Sequence, residues 1–587
     1  MRRNSALLVL SVCLAFPMGI GFSQDRRGSI PHDHARRNGL KSAWTTQLDL
    51  NPNRGRVVHI QPHVSSSRAI TAYEVFHGTG KEVIRTSDLD RTGQPLGKNG
   101  AAVAAAKRMR AILRADPDSL ADPEVAQTAE LVEKLIRDGD QLPKPRPATT
   151  DDDDENVDET APDLATSLLQ RAQAKPEVFP QLRRRVIPEV RLYAASATGI
   201  VHAIDGETGA TLWSNKIGRS TLVTQGPAAN DTVVAVFNGG TLFVLDAADG
   251  QLLWKKQVSS FASGRRISEV PSAAPAISDT QILVPTVRGD LLGYDLREPK
   301  LFPTRYGALG RALIQPIVAT QSVAWPTTAR ARRRGSAVKS YLYVANANEA
   351  GTRYRLESTE LIMGAPAFQT FGGQTRFFVA ARDGFLTCIS ERSGRLIWRF
   401  STGEPLAHQP VVFGNGVYTM SEHGGIFRVD ATSGKEVWRS SGIYGFVAAS
   451  RDRLYCTDAV GRVIVLDAVT GSHRAVISAN QLNVKLVNTL TDRLYMGTRT
   501  GLLQCLHEPE HDWPLIHEGT EEETEDAAGA GKAPKDSSPS DREPAPKPVD
   551  PNPFGGGEEK PAAGDDPFAD SDKPAAKKPP ADDDPFK

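Results

Sequence analysis

Between residues 190 and 517 short apolar runs recur in a fixed order, separated by turn residues. The first copy reads Arg191-Leu192-Tyr193-Ala194-Ala195, a turn ending in Gly199, then Val201-His202-Ala203-Ile204, then Asp205 to Gly209 and Leu212-Trp213. The second runs Val233 to Phe237, Gly240, Leu242-Phe243-Val244-Leu245, Asp246 to Gly250 and Leu253-Trp254. Strands bounded by such turns are the expectation. The run after the turn glycine is apolar on both faces, as in Leu242-Phe243-Val244-Leu245 and Val463-Ile464-Val465-Leu466. Such a strand is covered on both faces. With the turn glycine as anchor, copies fall at Gly199, Gly240, Gly289, Gly351, Gly384, Gly424, Gly461 and Gly501. Their mean spacing of about 43 residues is the length of one four-stranded propeller blade. The pattern predicts an all-β fold, an eight-bladed β-propeller over 185–517, with seven blades as the alternative count.

The segment after each apolar strand explains itself chemically. Asp205–Gly209, Asp246–Gly250, Asp430–Gly434 and Asp467–Gly471 keep a carboxylate that accepts backbone N–H bonds and a glycine that supplies positive φ, and Ser390–Gly394 keeps the glycine. Eight residues after the Asp position stand Trp213, Trp254, Trp398 and Trp438. A Trp buries about 200 Å², so the repeated Trp is expected to dock one blade on the next. The other copies depart from this. The fourth has Glu357 for Asp and no Trp, the third Pro303 and the seventh Ala475 at the Trp position, and the eighth His507 for Asp.

Outside the repeats the patterns change. Arg2 and Arg3, the apolar run Ala6–Phe16 and the small residues up to Ser23 read as a secretory signal peptide over 1–23, and Val12 before Cys13 does not suit a lipid anchor. Residues 24–40 are polar and basic, and an unstructured leader is expected. Residues 41–97 hold strand-like runs, Val57–Ile60 and Ile70–Phe76. The echo Tyr73–Ile84 around Gly78-Thr79-Gly80 suits strands that close the ring or cap one end. Helical periodicity over 98–139 predicts a hairpin, a basic first helix (Lys107, Arg108, Arg110, Arg114) against an acidic second one (Glu124, Glu130, Glu133). A Pro-rich linker follows over 140–180. Its run Asp151–Glu155 lacks the alternating spacing and glycine of a Ca²⁺ loop.

Charge and cysteines narrow the function. The 587 residues carry 70 basic and 70 acidic side chains, without the cationic surplus of a nucleic-acid binder. The balance hides an acidic tail over 518–587 with 19 acidic and 9 basic residues. Too poor in apolar residues to order itself, it carries Phe554, Phe568 and Phe586 in Asn-Pro-Phe and Asp-Pro-Phe contexts. Cys388, Cys456 and Cys505, an odd number inside apolar strands, read as small buried hydrophobes rather than a disulfide framework. No later run approaches membrane-spanning length.

Strand, Gly turn, apolar strand, Asp-Ala-x-[Thr/Ser]-Gly and Trp together resemble the PQQ-like (quinoprotein-type) propeller repeat, Asp430-Ala431-Thr432-Ser433-Gly434-Lys435-Glu436-Val437-Trp438 fitting closely. Within that family the chain is similar to the BamB-type propellers of outer-membrane assembly. The resemblance implies a non-enzymatic, monomeric scaffold in the periplasm or outside the cell, binding envelope proteins through its loops and axial mouth. The alternatives are a PQQ-dependent dehydrogenase and a small-ligand sensor. Quinoprotein dehydrogenases use adjacent cysteines and a Ca²⁺ carboxylate set, and neither can be matched here, so no catalytic, cofactor or metal residue is assigned. His507-Glu508-Pro509-Glu510-His511 matches a zinc-protease spacing, but Pro509 denies it the helix that chemistry needs. His32 and His34 fall in the leader, and Arg330, Arg332, Arg333 and Arg334 in a long inter-strand loop.

Overall fold

The computed structural model describes residues 28–51, 53–77, 80–88, 90, 96–115, 123–141, 181–262, 265–329 and 339–517. The expected signal peptide, most of the linker, the arginines at 330–334 and the acidic tail lie outside the described residues. Strands dominate, gathered among the described residues into seven four-stranded sheets, one five-stranded sheet and a two-stranded hairpin. The first blade holds β2 (Val57–His77), β4 (Gln181–Ser196), β5 (Ile200–Asp205) and β6 (Thr211–Lys216), with β3 (Gly80–Arg85) added beside β2. Blade two is β7–β10 over 224–257. The hairpin of β11 (Ser259–Ala262) and β12 (Arg265–Ser268) precedes blade three, β13–β16 over 276–306. Blades four to seven are β17–β20 (317–358), β21–β24 (367–401), β25–β28 (411–441) and β29–β32 (445–477). The eighth joins β33–β35 (484–507) to β1 (Lys41–Gln47) from the other end of the chain.

Eight apolar clusters lie between these eight sheets, each shared by two neighbours. Tyr193, Val201 and Trp213 of blade one meet Val234, Val236 and Phe243 of blade two, and so on to blades seven and eight. The last cluster sets Trp44, Tyr495 and Cys505 of blade eight against Ile60, Leu192 and Ile204 of blade one. Every sheet is therefore dry on both faces, and the ring is closed. Cys388, Cys456 and Cys505 are buried and unbridged within it. Burial pushes the thiols of Cys388 and Cys456 up to about 12.

The repeated residues form one junction. Asp205 Oδ1 accepts the N–H groups of Glu207 and Thr208, both at 2.8 Å, and holds the turn open toward the preceding blade. The carbonyl after the Asp then takes two donors across the junction. Ala247 O accepts Trp213 Nε1 at 3.1 Å and Arg191 at 2.6 Å, and Ala468 O accepts Trp438 Nε1 at 3.2 Å and Arg428 at 2.7 Å. Trp398 and Arg376 share Ala431 O at 3.0 and 3.3 Å. The glycine is required twice over. Gly250 has φ +74°, and a Cβ there would fall 2.4 Å from the Trp213 ring.

Three expectations need correction. Residues 28–40 are not an unstructured leader. They carry α1 (His32–Arg37), and Ile30, Ala35 and Leu40 are buried against blades seven and eight. Three spaced apolar residues suffice because the ring supplies the rest of the surface. The ring also begins earlier than residue 185. β1 forms the outer strand of blade eight, and Trp44 pairs with Cys505 as Trp213 pairs with Ala203. The Trp missing from the eighth copy thus comes from the N-terminal side, bonded to Gly206 O at 2.9 Å. Finally, Gly351 is not a turn glycine of the expected kind. It lies between β19 (Lys339–Asn346) and β20 (Thr352–Ser358), so Asn346, not Glu357, holds the Asp position. Eight residues on, Tyr354 takes the Trp position, stacking on Gly394 and donating to Ser390 O at 3.1 Å. In blade three Thr304, not Pro303, stands opposite Gly293, while Tyr306 reaches across to Glu349 O at 3.1 Å.

β2 and β4 are too long for a blade. After pairing Val57–Val64 with Val190–Ser196 they break register and pair again over Ala69–Phe76 and Gln181–Pro188 as an arm, which β3 extends. On it packs a helical hairpin, α2 (Gly97–Ala115) and α3 (Pro123–Gln141). Ala102, Ala105, Met109, Val132 and Leu135 cover Tyr73, Val75 and Leu182. Arg110 and Arg114 reach Glu133 at 3.1 and 3.0 Å, so the basic and acidic helices do pair. The echo over Tyr73–Ile84 belongs to this arm and does not close the ring.

Candidate docking face

Strand direction gives the ring two unlike sides. The connections from each outer strand to the next inner strand share one side with the turns between second and third strands. This is the loop face. The Asp-x-x-x-Gly turns and the turns after the inner strands form the other, the turn face. Because β2 starts at the loop face and overruns the opposite one, the arm stands on the turn face.

There the arm is fixed by charge. In the register break of β2, the N–H groups of Ser66 and Ser67 and the Ser66 hydroxyl bond Asp231 Oδ2 at 3.1, 2.8 and 2.8 Å, and His63 Nε2 meets Oδ1 at 2.7 Å. Burial opposes the Asp231 charge, but these bonds outweigh it and hold the carboxyl far below its ordinary range. Residues 508–517 return across the same side as a strap. Trp513 Nε1 donates to the buried Glu74 at 2.6 Å, Lys81 reaches Glu74 at 2.6 Å, and Asp512 bonds Lys81 at 3.1 Å. Arg493, fully buried, pairs with Glu207 of blade one at 2.9 Å and donates to the carbonyls of His511 and Asp512 at 2.8 and 2.9 Å. Glu207, Arg493 and the strap thus fasten blade eight to blade one beside the Trp44 junction. His507 bonds its neighbour Glu508 O and His511 bonds Asp492, so the zinc-protease spacing sits on a strand end and a turn.

The loop face carries exposed apolar residues on its inter-blade connections. Leu222 and Val223 precede blade two, Val270 blade three, Leu309 and Leu313 blade four, Met363 blade five and Tyr444 blade seven, and all are exposed, Val223 to 70%. Val460, in a second-to-third-strand turn, is 67% exposed. Scattered apolar surface residues are ordinary, but apolar residues repeated at one connection around a ring mark an interaction surface. The platform is stiff. Glu269, buried, accepts Ser260 Oγ at 2.7 Å and faces Arg288 at 3.6 Å, bracing the β11–β12 hairpin to blade three. Arg382 and Glu422 bridge blades five and six at 3.0 Å. Sequence reading did not single these residues out, because an apolar residue in a loop has no periodicity. A repeat-by-repeat comparison of the inter-blade connections was the available signal.

Two concave sites of about 290 Å³ each also lie on the ring. One opens between blades four and five, where Tyr354 and Leu356 stand at the positions of Trp398 and Phe400, and is lined by Leu356, Ile362, Val379, Ile389 and Leu396. The other lies among the inner strands of blades three to five beside Asp279, Thr320, Asn348 and Phe368. Among the described residues no three His, Cys, Asp or Glu side chains gather to hold a metal, and no two cysteines are adjacent.

The family model described as outer membrane protein assembly factor BamB matches residues 169–302 and 339–496. The chain belongs to the PQQ-like, BamB-type propeller family. A BamB of Shewanella oneidensis is 23% identical over 361 residues, spanning 55% of this chain and 85% of its own. A BamB of Burkholderia pseudomallei is 33% identical over 103 residues, 18% of this chain and 24% of its own. Among solved structures, BamB from Moraxella catarrhalis aligns at TM-score 0.41 and 17% identity, covering 55% of this chain and 92% of that one. A quinohemoprotein alcohol dehydrogenase from Comamonas testosteroni aligns at 0.39 and 14%, covering 54% and 72%. The BamB-type match begins in the linker before β4 and stops before the strap. The arm's helices, β1 and the strap lie outside it. No described helix is long and apolar enough to cross a membrane.

Proposed function

We propose that the protein is a non-enzymatic scaffold of the cell envelope, monomeric, exported by its N-terminal signal, whose loop face docks a component of the outer-membrane protein assembly apparatus. The observation that carries this reading is the circle of exposed apolar residues, Val223, Val270, Leu313, Met363 and Tyr444, on connections held by a rigid ring. A partner covering them gains roughly 25 cal/mol per Å² of apolar surface, at little ordering cost to the ring. The family relationship supplies the setting: the relatives named above are assembly factors of the outer membrane.

The test is site-specific photo-crosslinking from Val223, Leu313 and Met363 in envelope extracts, beside the double variant Val223→Asp/Leu313→Asp. Adducts with assembly components are expected, and the double variant should lose them at unchanged melting temperature. Equal capture by that variant overturns the reading, as does quinone-dependent dye reduction by the purified protein.

A further inference from the structure

Among the described residues, the part of β4 that leaves the ring has an unpaired edge. Over Gln181–Pro188 it bonds β2 on one side, whereas its pairing with β5 begins only at Arg191. Among the described residues no backbone hydrogen bond joins 182–188 to any segment but β2. Such an edge presents a row of N–H and C=O groups to any strand laid beside it. Its side chains give it a sign. Arg183, Arg184, Arg185 and Val186 are four successive exposed residues, and alternation puts guanidinium groups on both faces of the strand. Arg183 lies over the Phe76 ring at 5.7 Å and Arg185 reaches Glu74 at 3.2 Å. Arg183 and Arg184 have no carboxylate partner among the described residues. Lys81 and Arg85 add two cations on the face of Arg183 and Arg185, where Glu74 and Asp512 meet Lys81.

We propose that this edge takes an acidic, extended polypeptide segment of a partner as an added strand. Alternate Asp or Glu side chains meet Arg183 and Arg185 on one face, and the apolar residues between them fall on the other face, beside Val186. Open amides require a backbone partner, which a phosphate-bearing surface does not provide, and the guanidinium groups of Arg183 and Arg185 select carboxylates. The site stands on the turn-face side and does not rest on the docking role of the loop face.

The experiment uses the full-length protein and a fluorescent peptide of alternating Glu and Val, about eight residues long, followed by anisotropy at low salt. Saturable binding is expected. Arg183→Glu, at an exposed position, should weaken it by about ten-fold or more, and Arg184→Glu, on the opposite face, clearly less. A peptide N-methylated at alternate amides and one with Gln for Glu should lose it similarly, and Val223→Asp should leave it unchanged. Absence of binding, indifference to the arginine reversals, or equal binding of the N-methylated peptide overturns the proposal. So does binding of anionic lipid vesicles through these arginines in the absence of peptide binding.

Discussion

Removal of the Trp44 side chain tests how the ring is held shut. Trp44 is 8% exposed, its ring lies against Tyr495 at 6.2 Å and over Gly209, and its indole donates to Gly206 O. Truncating a buried aromatic to Ala costs about 3–5 kcal/mol, and the lost hydrogen bond leaves a buried carbonyl short by about 1 kcal/mol. For Trp44→Ala we expect about 4 kcal/mol, a fall on the order of 1 M in the urea midpoint for a chain of this size. Trp438→Ala loses nearly the same contacts at an internal junction and should cost a similar 3–5 kcal/mol. The two variants should differ in where the molecule opens. β1 reaches blade eight from the far end of the chain, so loss of Trp44 frees it to peel away, whereas the blades flanking Trp438 are tied by short connections. Limited proteolysis should cut Trp44→Ala first within residues 28–56 and leave Trp438→Ala intact there. A cost below about 1 kcal/mol, the level of a surface change, or identical digestion patterns refutes the view that this strand is the clasp.

Other expectations follow from the same geometry. Gly250→Ala forces positive φ on a Cβ that also collides with Trp213; a loss of about 2–4 kcal/mol by thermal or urea melting is expected, and a neutral result would mean the turn can relax. The imidazoles of His59, His202, His408, His507 and His517 are held below their ordinary 6.5, chiefly by burial. Between those lowered values and 6.5 the unfolded chain binds more protons, so stability rises with pH there and should fall as pH drops from 7 to 5. His511 works the other way. Its bond to Asp492 raises it, and that contribution is complete below 6.5 and lost as pH rises through its folded value. His511→Gln should therefore steepen the acid loss in a melting-temperature series, and a flatter profile would contradict the assignment. Arg493→Met leaves the buried Asp492 and the half-buried Glu207 without their guanidinium partner and should cost about 3–5 kcal/mol, read by urea melting; a stable variant would show the seam indifferent to this network.

The repeat was legible because its causes are local. A strand covered on both faces favours apolar residues at successive positions, a turn that bonds its own N–H groups favours Asp, and one crossed by an indole requires Gly. Asp205–Gly209 and Trp213 thus announce a blade without coordinates. Long-range pairing is not written locally. Trp44 lies in an ordinary strand-like segment, and only the ring gives it Cys505 as neighbour and Gly206 as acceptor. Asn346 and Tyr354 escaped the repeat because the glycine taken as marker, Gly351, lies one connection later than in the other copies, between β19 and β20. Ile30, Ala35 and Leu40 resembled a polar leader because their partners lie more than four hundred residues away. The candidate docking face belongs to the same class. Val223 or Met363 in a loop says nothing alone, and becomes a surface only when strand polarity gathers the inter-blade connections on one side. Local chemistry specified the blades; closure, the arm and the face were set by which distant surfaces had to leave water together.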